Sequence, residues 1–239
     1  MRRSVPAFNI PPPVTLLIAL LVAIHILRSF LGRQATFEFL YRFAFVPARL
    51  GHGEAYPGGS GAEIWTFLTY AFLHGDFVHL IVNILWMASF GSALAIRFGP
   101  ARFYALFVLG CIAGALAHYL VLPGDMAPLV GASAGVSAMM AAALRFSFVP
   151  GGPLAGGRGR REAYDVPAPP LAVSLGNRRV LTFVILWFVL NLAFGVGNFG
   201  IAGEGSSIAW QAHIGGFLVG LLLFPLLDPV RADEPEFPG

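Results

Sequence analysis

The chain has 239 residues, of which 57% are hydrophobic and only 11% charged, and its mean hydropathy is +0.75. A soluble domain carries about 25% charged residues, so a water-soluble globule is excluded and a polytopic membrane protein is implied. Every basic residue is an arginine and the net charge is only +3. The basic pI therefore reflects arginines in loops, and no nucleic-acid partner is expected. Cys111 is the single cysteine, which excludes an intramolecular disulfide and a multi-cysteine metal site.

A spanning helix needs about 20 mostly apolar residues. Six stretches qualify: 13–31, 77–97, 102–122, 129–149, 180–197 and 208–227. Residues 1–12 carry two arginines and a run of prolines, and no small-residue cleavage site follows the first apolar stretch, so it reads as a retained span rather than a signal peptide. Between the first two spans, residues 32–76 mix polar and aromatic side chains, and 37–45 (FEFLYRFAF) reads as an interfacial helix. Residues 150–179 are rich in Pro, Gly and Arg and read as a flexible cytoplasmic linker; 228–239 form a short acidic tail. No internal repeat is visible, so the spans form one domain, 13–227. Arginines concentrate on the side that holds the N-terminus, which places both termini in the cytoplasm. Spans two, four and six then run from the outer side inward.

Polar groups inside a bilayer are costly and invite a functional reading. Three outside-to-inside spans carry them near the start. Span two opens LHGDFVHLIVNILW, with His74, His79 and Asn83, and the last two share a helix face at a spacing of four. Span four is expected to hold Ser133 about one turn in, within LVGASAGVSAMMAAA. Span six opens AWQAHIGGFLVG, with His213. No Asp or Glu lies inside any span; Asp76 sits at the mouth of the second. That removes a paired-aspartate intramembrane protease and weakens a transporter-like carboxylate relay. The absence of HExxH argues against a zinc protease. No cofactor is implied.

A serine hydroxyl is a weak nucleophile that needs a base within hydrogen-bond reach. Imidazole suits that task. With no buried carboxylate to orient His213, Ser133 and His213 would work as a dyad. An oxyanion needs preorganised donors: the Asn83 amide, the His79 ring N–H and the Ser133 backbone N–H are candidates. Gly131, Ala132, Ala134 and Gly135 leave room beside the serine. Gly216 and Gly220 form a GxxxG stripe that lets span six approach a neighbour closely, bringing His213 towards span four.

Together, His74-x4-His79-x3-Asn83, Gly131-Ala132-Ser133 and Ala212-His213-x2-Gly216-x3-Gly220 resemble the rhomboid family of intramembrane serine proteases. The resemblance implies an all-α bundle of six transmembrane helices, with Ser133 as nucleophile, His213 as base, and His79, Asn83 and the Ser133 amide as oxyanion hole. It also implies transmembrane-helix substrates, cut near the outer face at small residues. Three positions depart from the family pattern. Ala134 stands where Gly usually follows the serine. Trp65 is followed by Thr66 rather than Arg, so the first loop lacks its usual arginine anchor. Ser137 occupies the position where some members carry a tyrosine against the histidine.

Blander readings exist for each residue. Ser133 alone would be helix packing, and His213 alone an interhelical polar contact; their company favours catalysis. His79 and Asn83 could hydrogen-bond across helices for stability alone. His74 reads as a brace for the loop. His25 and His118 lack matching partners and read as packing or helix-end groups, and Asn191 and Gln211 as interhelical hydrogen bonders. The glycine-rich stretch 195–207 reads as a mobile cap. The alternative function is a catalytically inactive rhomboid-like protein that binds membrane clients. The short N-terminus points to the bacterial inner membrane. Oligomeric state and substrate identity are not legible.

Overall fold

The computed structural model describes residues 10–157, 159–196 and 209–230. The expected cap at 195–207 falls almost wholly outside them. The described residues are helical throughout, apart from loops and one isolated antiparallel bridge, Phe45 with Leu129. In chain order the helices are α1 (Pro12–Ser29), α2 (Arg33–Phe43), α3 (Ala62–Thr69), α4 (Phe77–Trp86), α5 (Ser92–Val121), α6 (Ser133–Ser147), α7 (Leu171–Gly176), α8 (Arg178–Val196) and α9 (Trp210–Leu227). A single π-helical stretch, Met87–Gly91, joins α4 to α5.

The run Phe77–Val121 is 45 residues long. At 1.5 Å per residue that is about 68 Å, twice what a bilayer core of about 30 Å requires. The chain resolves the excess by breaking at Gly99, which adopts φ 73° and ψ 172°. Pro100 follows. Its ring disfavours helical backbone at the preceding residue, and glycine alone enters the left-handed region freely. The run therefore divides into two segments, 77–98 and 100–121, each about as long as a bilayer core requires and lying where the second and third spans are expected. α1, α8 and α9 likewise fall on expected spans.

The fourth span is shorter than expected. Residues 129–132 stay outside the helix, with Leu129 in the bridge to Phe45 and Gly131 at φ +119°, and α6 begins at Ser133, leaving 15 helical residues, about 22 Å. Apolar composition here reflects burial in protein, not contact with lipid: every residue from Ala134 to Ser147 is buried. α5, α6 and α9 pack against one another around it. Non-helical backbone inside a helical membrane bundle is tolerated where protein groups satisfy it. Here Leu129 and Phe45 exchange backbone hydrogen bonds at 2.8 and 3.2 Å, and the Gly131 N–H donates to the Tyr70 carbonyl at 3.0 Å.

Small residues set how closely these helices approach. A side chain at Gly216 would overlap the Ala134 carbonyl, and one at Gly220 the Ala138 carbonyl. Gly215, one position away, faces the Ala113 backbone of α5 instead. The GxxxG stripe of α9 thus lies directly on the backbone of α6. Gly220→Ala is expected to destabilise the protein by about 1–3 kcal/mol through overpacking, read as a lower melting temperature in detergent.

Residues 150–179 are not a plain tether. Ala163 is buried, the Tyr164 and Val166 carbonyls accept from Arg97, and the Pro169 carbonyl accepts from Arg145. The expectation of a flexible linker followed its Pro/Gly content; two buried guanidiniums in need of acceptors hold it in place. The first loop is also anchored without the usual Trp-Arg pair. Arg49 is buried, donates to the Ala44 and Tyr41 carbonyls, and lies over the Tyr56 ring. The Trp65 indole N–H donates to the Arg42 carbonyl at 2.9 Å.

Candidate active site

Three helices, α4, α6 and α9, deliver the candidate residues to one end of the bundle. Ser133 is the first residue of α6, not one turn inside it. Its N–H is therefore among the four that a helix leaves without an internal partner, at the positive end of the helix dipole. His213 is one turn into α9. The contact between α6 and α9 sets their spacing, and the Ser133 Oγ lies 2.7 Å from the His213 Nε2.

The turn into α6 depends on Gly131. Its φ of +119° suits glycine alone, and any Cβ there would strike the His79 ring. That contact places His79 against the backbone just before the serine. His79 is held in turn by α4, whose N-terminus is capped by Asp76: the carboxylate accepts from the His79 N–H at 2.8 Å. His74 sits 5.1 Å from His79, ring centre to ring centre, and its Nε2 accepts from the Ala132 N–H at 3.4 Å. The Arg28 guanidinium of α1 donates to the His74 and Gly75 carbonyls and fixes that loop. His74 thus lies against the turn that leads to Ser133.

Asn83 is buried on α4. Its amide nitrogen donates to the His79 carbonyl one turn back, at 2.9 Å, and its carbonyl oxygen has no partner among the described residues. The nitrogen carries a second hydrogen, which that bond leaves uncommitted. No hydrogen bond joins Asn83 to Ser133 or His213 among the described residues.

Ala134, the departure beside the serine, is accommodated. Its methyl abuts Gly114 of α5, where any larger residue would collide with it. Gly135 faces Phe107 and Cys111. The Ser137 hydroxyl, where a tyrosine was a family option, donates back to the Ser133 carbonyl at 2.7 Å and does not reach the histidine. Another residue does. Asn191 of α8 places its Oδ1 2.6 Å from the His213 Nδ1. The signal for it in the sequence was a lone polar side chain in an otherwise apolar span. His118, expected to lack partners, lies 3.6 Å from the Asp125 carboxylate.

The Rhomboid domain model matches residues 61–228. The chain belongs to the rhomboid family. It is 26% identical over 214 residues to the rhomboid protease GlpG of Yersinia pestis, covering 88% of this chain and 61% of that protein. It is 39% identical over 84 residues to human rhomboid-related protein 3, covering 35% of this chain and 20% of that protein. The chain thus spans less than two thirds of either relative. As a rhomboid it is an integral, polytopic membrane protein, and its stretches Pro12–Ser29, Phe77–Val121 and Trp210–Leu227 are long and apolar enough to cross a bilayer.

Proposed function

We propose that this rhomboid is an intramembrane serine endopeptidase that cleaves transmembrane helices of other membrane proteins. The observation that carries the reading is the 2.7 Å approach of the Ser133 hydroxyl to the His213 Nε2. The name of the Yersinia relative, a rhomboid protease, supports the same reaction class.

The steps follow from the groups present. The Ser133 Oγ attacks the scissile carbonyl carbon while its proton passes to the His213 Nε2. The carbonyl oxygen becomes an oxyanion, received by the unpaired Ser133 N–H, the second amide hydrogen of Asn83 and the His79 ring N–H. The tetrahedral species collapses, the C–N bond breaks, and the imidazolium proton leaves with the amine. Water, activated by the neutral His213, then attacks the acyl-serine ester and releases the new carboxylate. Helical substrate backbone hides its carbonyls in hydrogen bonds, so the scissile segment must unwind first, and small residues favour that near the outer face. The chain would work in the bacterial inner membrane with both termini cytoplasmic. Ala134 lends no support to a catalytically inactive reading, because its methyl rests against Gly114, on the face turned to α5.

A fluorophosphonate probe tests the reading on detergent-purified protein. Wild type is expected to label, with the adduct mapped to Ser133 by mass spectrometry, and His213→Ala is expected to label about 100-fold more slowly or worse. A folded wild type that neither labels nor cuts a transmembrane substrate in bilayers would overturn it.

A further inference from the structure

We infer that Asn191 is a positioning residue for the base: its side-chain oxygen accepts the His213 Nδ1–H and so keeps the Nε2 lone pair turned to Ser133. The inference rests on the proposed protease reading and adds a third member, from a third helix, to the serine–histidine pair.

The bonding pattern leads to it. An amide oxygen can only accept a hydrogen bond, so a ring nitrogen 2.6 Å away must carry the hydrogen. A neutral imidazole carries a single ring hydrogen. With it on Nδ1, Nε2 is an acceptor, and the contact of 2.7 Å to the Ser133 Oγ is one in which the hydroxyl donates. That is the tautomer in which His213 can take the serine proton. The opposite tautomer would present N–H to the hydroxyl and could not act as base.

The placement of Asn191 supports a dedicated role. α8 is apolar, and Leu181, Ile185, Leu186, Phe188, Val189 and Leu190 are exposed as lipid-facing residues would be. Among its described side chains only Val180 and Asn191 are buried. The one polar side chain that α8 buries lies on the ring nitrogen that the serine does not use. A carboxylate would perform the same orientation, but a charge inside a span is costly; an amide supplies the acceptor without the charge. The Ser137 hydroxyl does not fill this role: it is turned to the Ser133 carbonyl and makes no hydrogen bond to His213 among the described residues.

The test compares wild type, Asn191→Leu and Asn191→Asp, each purified in detergent and reconstituted with a transmembrane substrate. Leucine keeps the branched heavy-atom outline, with a somewhat larger volume, and removes the acceptor; aspartate keeps an acceptor oxygen in place. Asn191→Leu is expected to lower kcat about 10- to 100-fold with KM within about twofold and the melting temperature unchanged or raised. Asn191→Asp is expected to restore most of kcat. Ring-nitrogen NMR of His213 should show the hydrogen on Nδ1 in wild type and its loss from that site in Asn191→Leu. This readout needs no turnover and so stands even for a folded variant that cuts slowly. Wild-type kcat in Asn191→Leu, or an unchanged His213 tautomer, would overturn the inference while leaving the protease reading intact. A fall in melting temperature with kcat preserved would mark Asn191 as an interhelical contact only. A wild type with no Ser133-dependent cleavage would remove the protease reading itself, and the base role with it.

Discussion

Ser133→Ala is expected to reduce cleavage of a transmembrane substrate by about 10⁴-fold or more while the fold persists. By transition-state arithmetic that loss is about 5 kcal/mol of barrier. The same substitution removes one hydroxyl and one hydrogen bond, the contact of 2.7 Å to His213. Such a bond contributes about 1 kcal/mol to stability, and less on average inside membrane bundles. The two magnitudes are far enough apart to separate a catalytic from a structural serine. Alanine also suits the first turn of a helix, and the neighbouring Ala132 and Ala134 show that a methyl is tolerated in this stretch. Cleavage and melting temperature should therefore be read on the same preparation. Loss of cleavage at an unchanged melting temperature is the expected result. Cleavage that survives would remove Ser133 as nucleophile.

How much of this was legible depends on whether the determining contacts are local. The spans are legible because lipid demands a long apolar run, a demand that each run meets by itself. The break between the second and third passes is legible from Gly99-Pro100 for the same reason: the backbone preference lies in the dipeptide. Residues 129–132 are the exception. They are apolar enough to extend a helix, but their hydrogen bonds go to Phe45 and Tyr70, distant in sequence, and Gly131 turns the chain into α6 at a positive φ. Hydropathy cannot tell burial in protein from burial in lipid. The residue types at the site were legible because spans two, four and six each carry polar groups near the same end. The partner of His213 was not. Asn191 reads as any interhelical polar residue until α8 and α9 are laid side by side, and the usual orienting group for a catalytic imidazole, a carboxylate, is absent from every span. The anchoring role of Arg49 is illegible for the same reason, since its acceptors are backbone carbonyls, which leave no trace in sequence.

At the far end of the bundle, Arg97→Met is expected to be the most destabilising single change, at about 3–5 kcal/mol. Arg97 lies at the end of the second pass with its side chain fully buried. Its Nε and Nη2 donate to the two carboxylate oxygens of Asp228, both at 2.7 Å, and its Nη1 donates to the Tyr164 and Val166 carbonyls at 2.7 and 2.8 Å. The guanidinium also stacks 4.5 Å from the Phe146 ring of α6. One side chain thus joins the second pass, the segment 161–166, α6 and the residue that ends α9. Forming a buried ion pair brings modest net stability, because both charges lose water. Removing one partner is far worse, since it leaves the Asp228 charge with only the Val230 N–H, at 3.2 Å, to answer it, and strips two carbonyls of their donor. Methionine keeps most of the volume, so the loss would not be a cavity effect. Asp228→Asn should cost less, because an amide still accepts one of the two hydrogen bonds. The double variant Arg97→Met with Asp228→Leu should recover part of the loss, as it removes the stranded charge and leaves only the two carbonyls. Melting temperatures of the three variants in one detergent would check the order. The destabilised variant should also cut more slowly, because α9 carries His213 at its other end and its seating on α6 sets the 2.7 Å contact with Ser133. If Arg97→Met melted like wild type, the carboxylate would have found another partner, and the four-way tie would not be what seats α9.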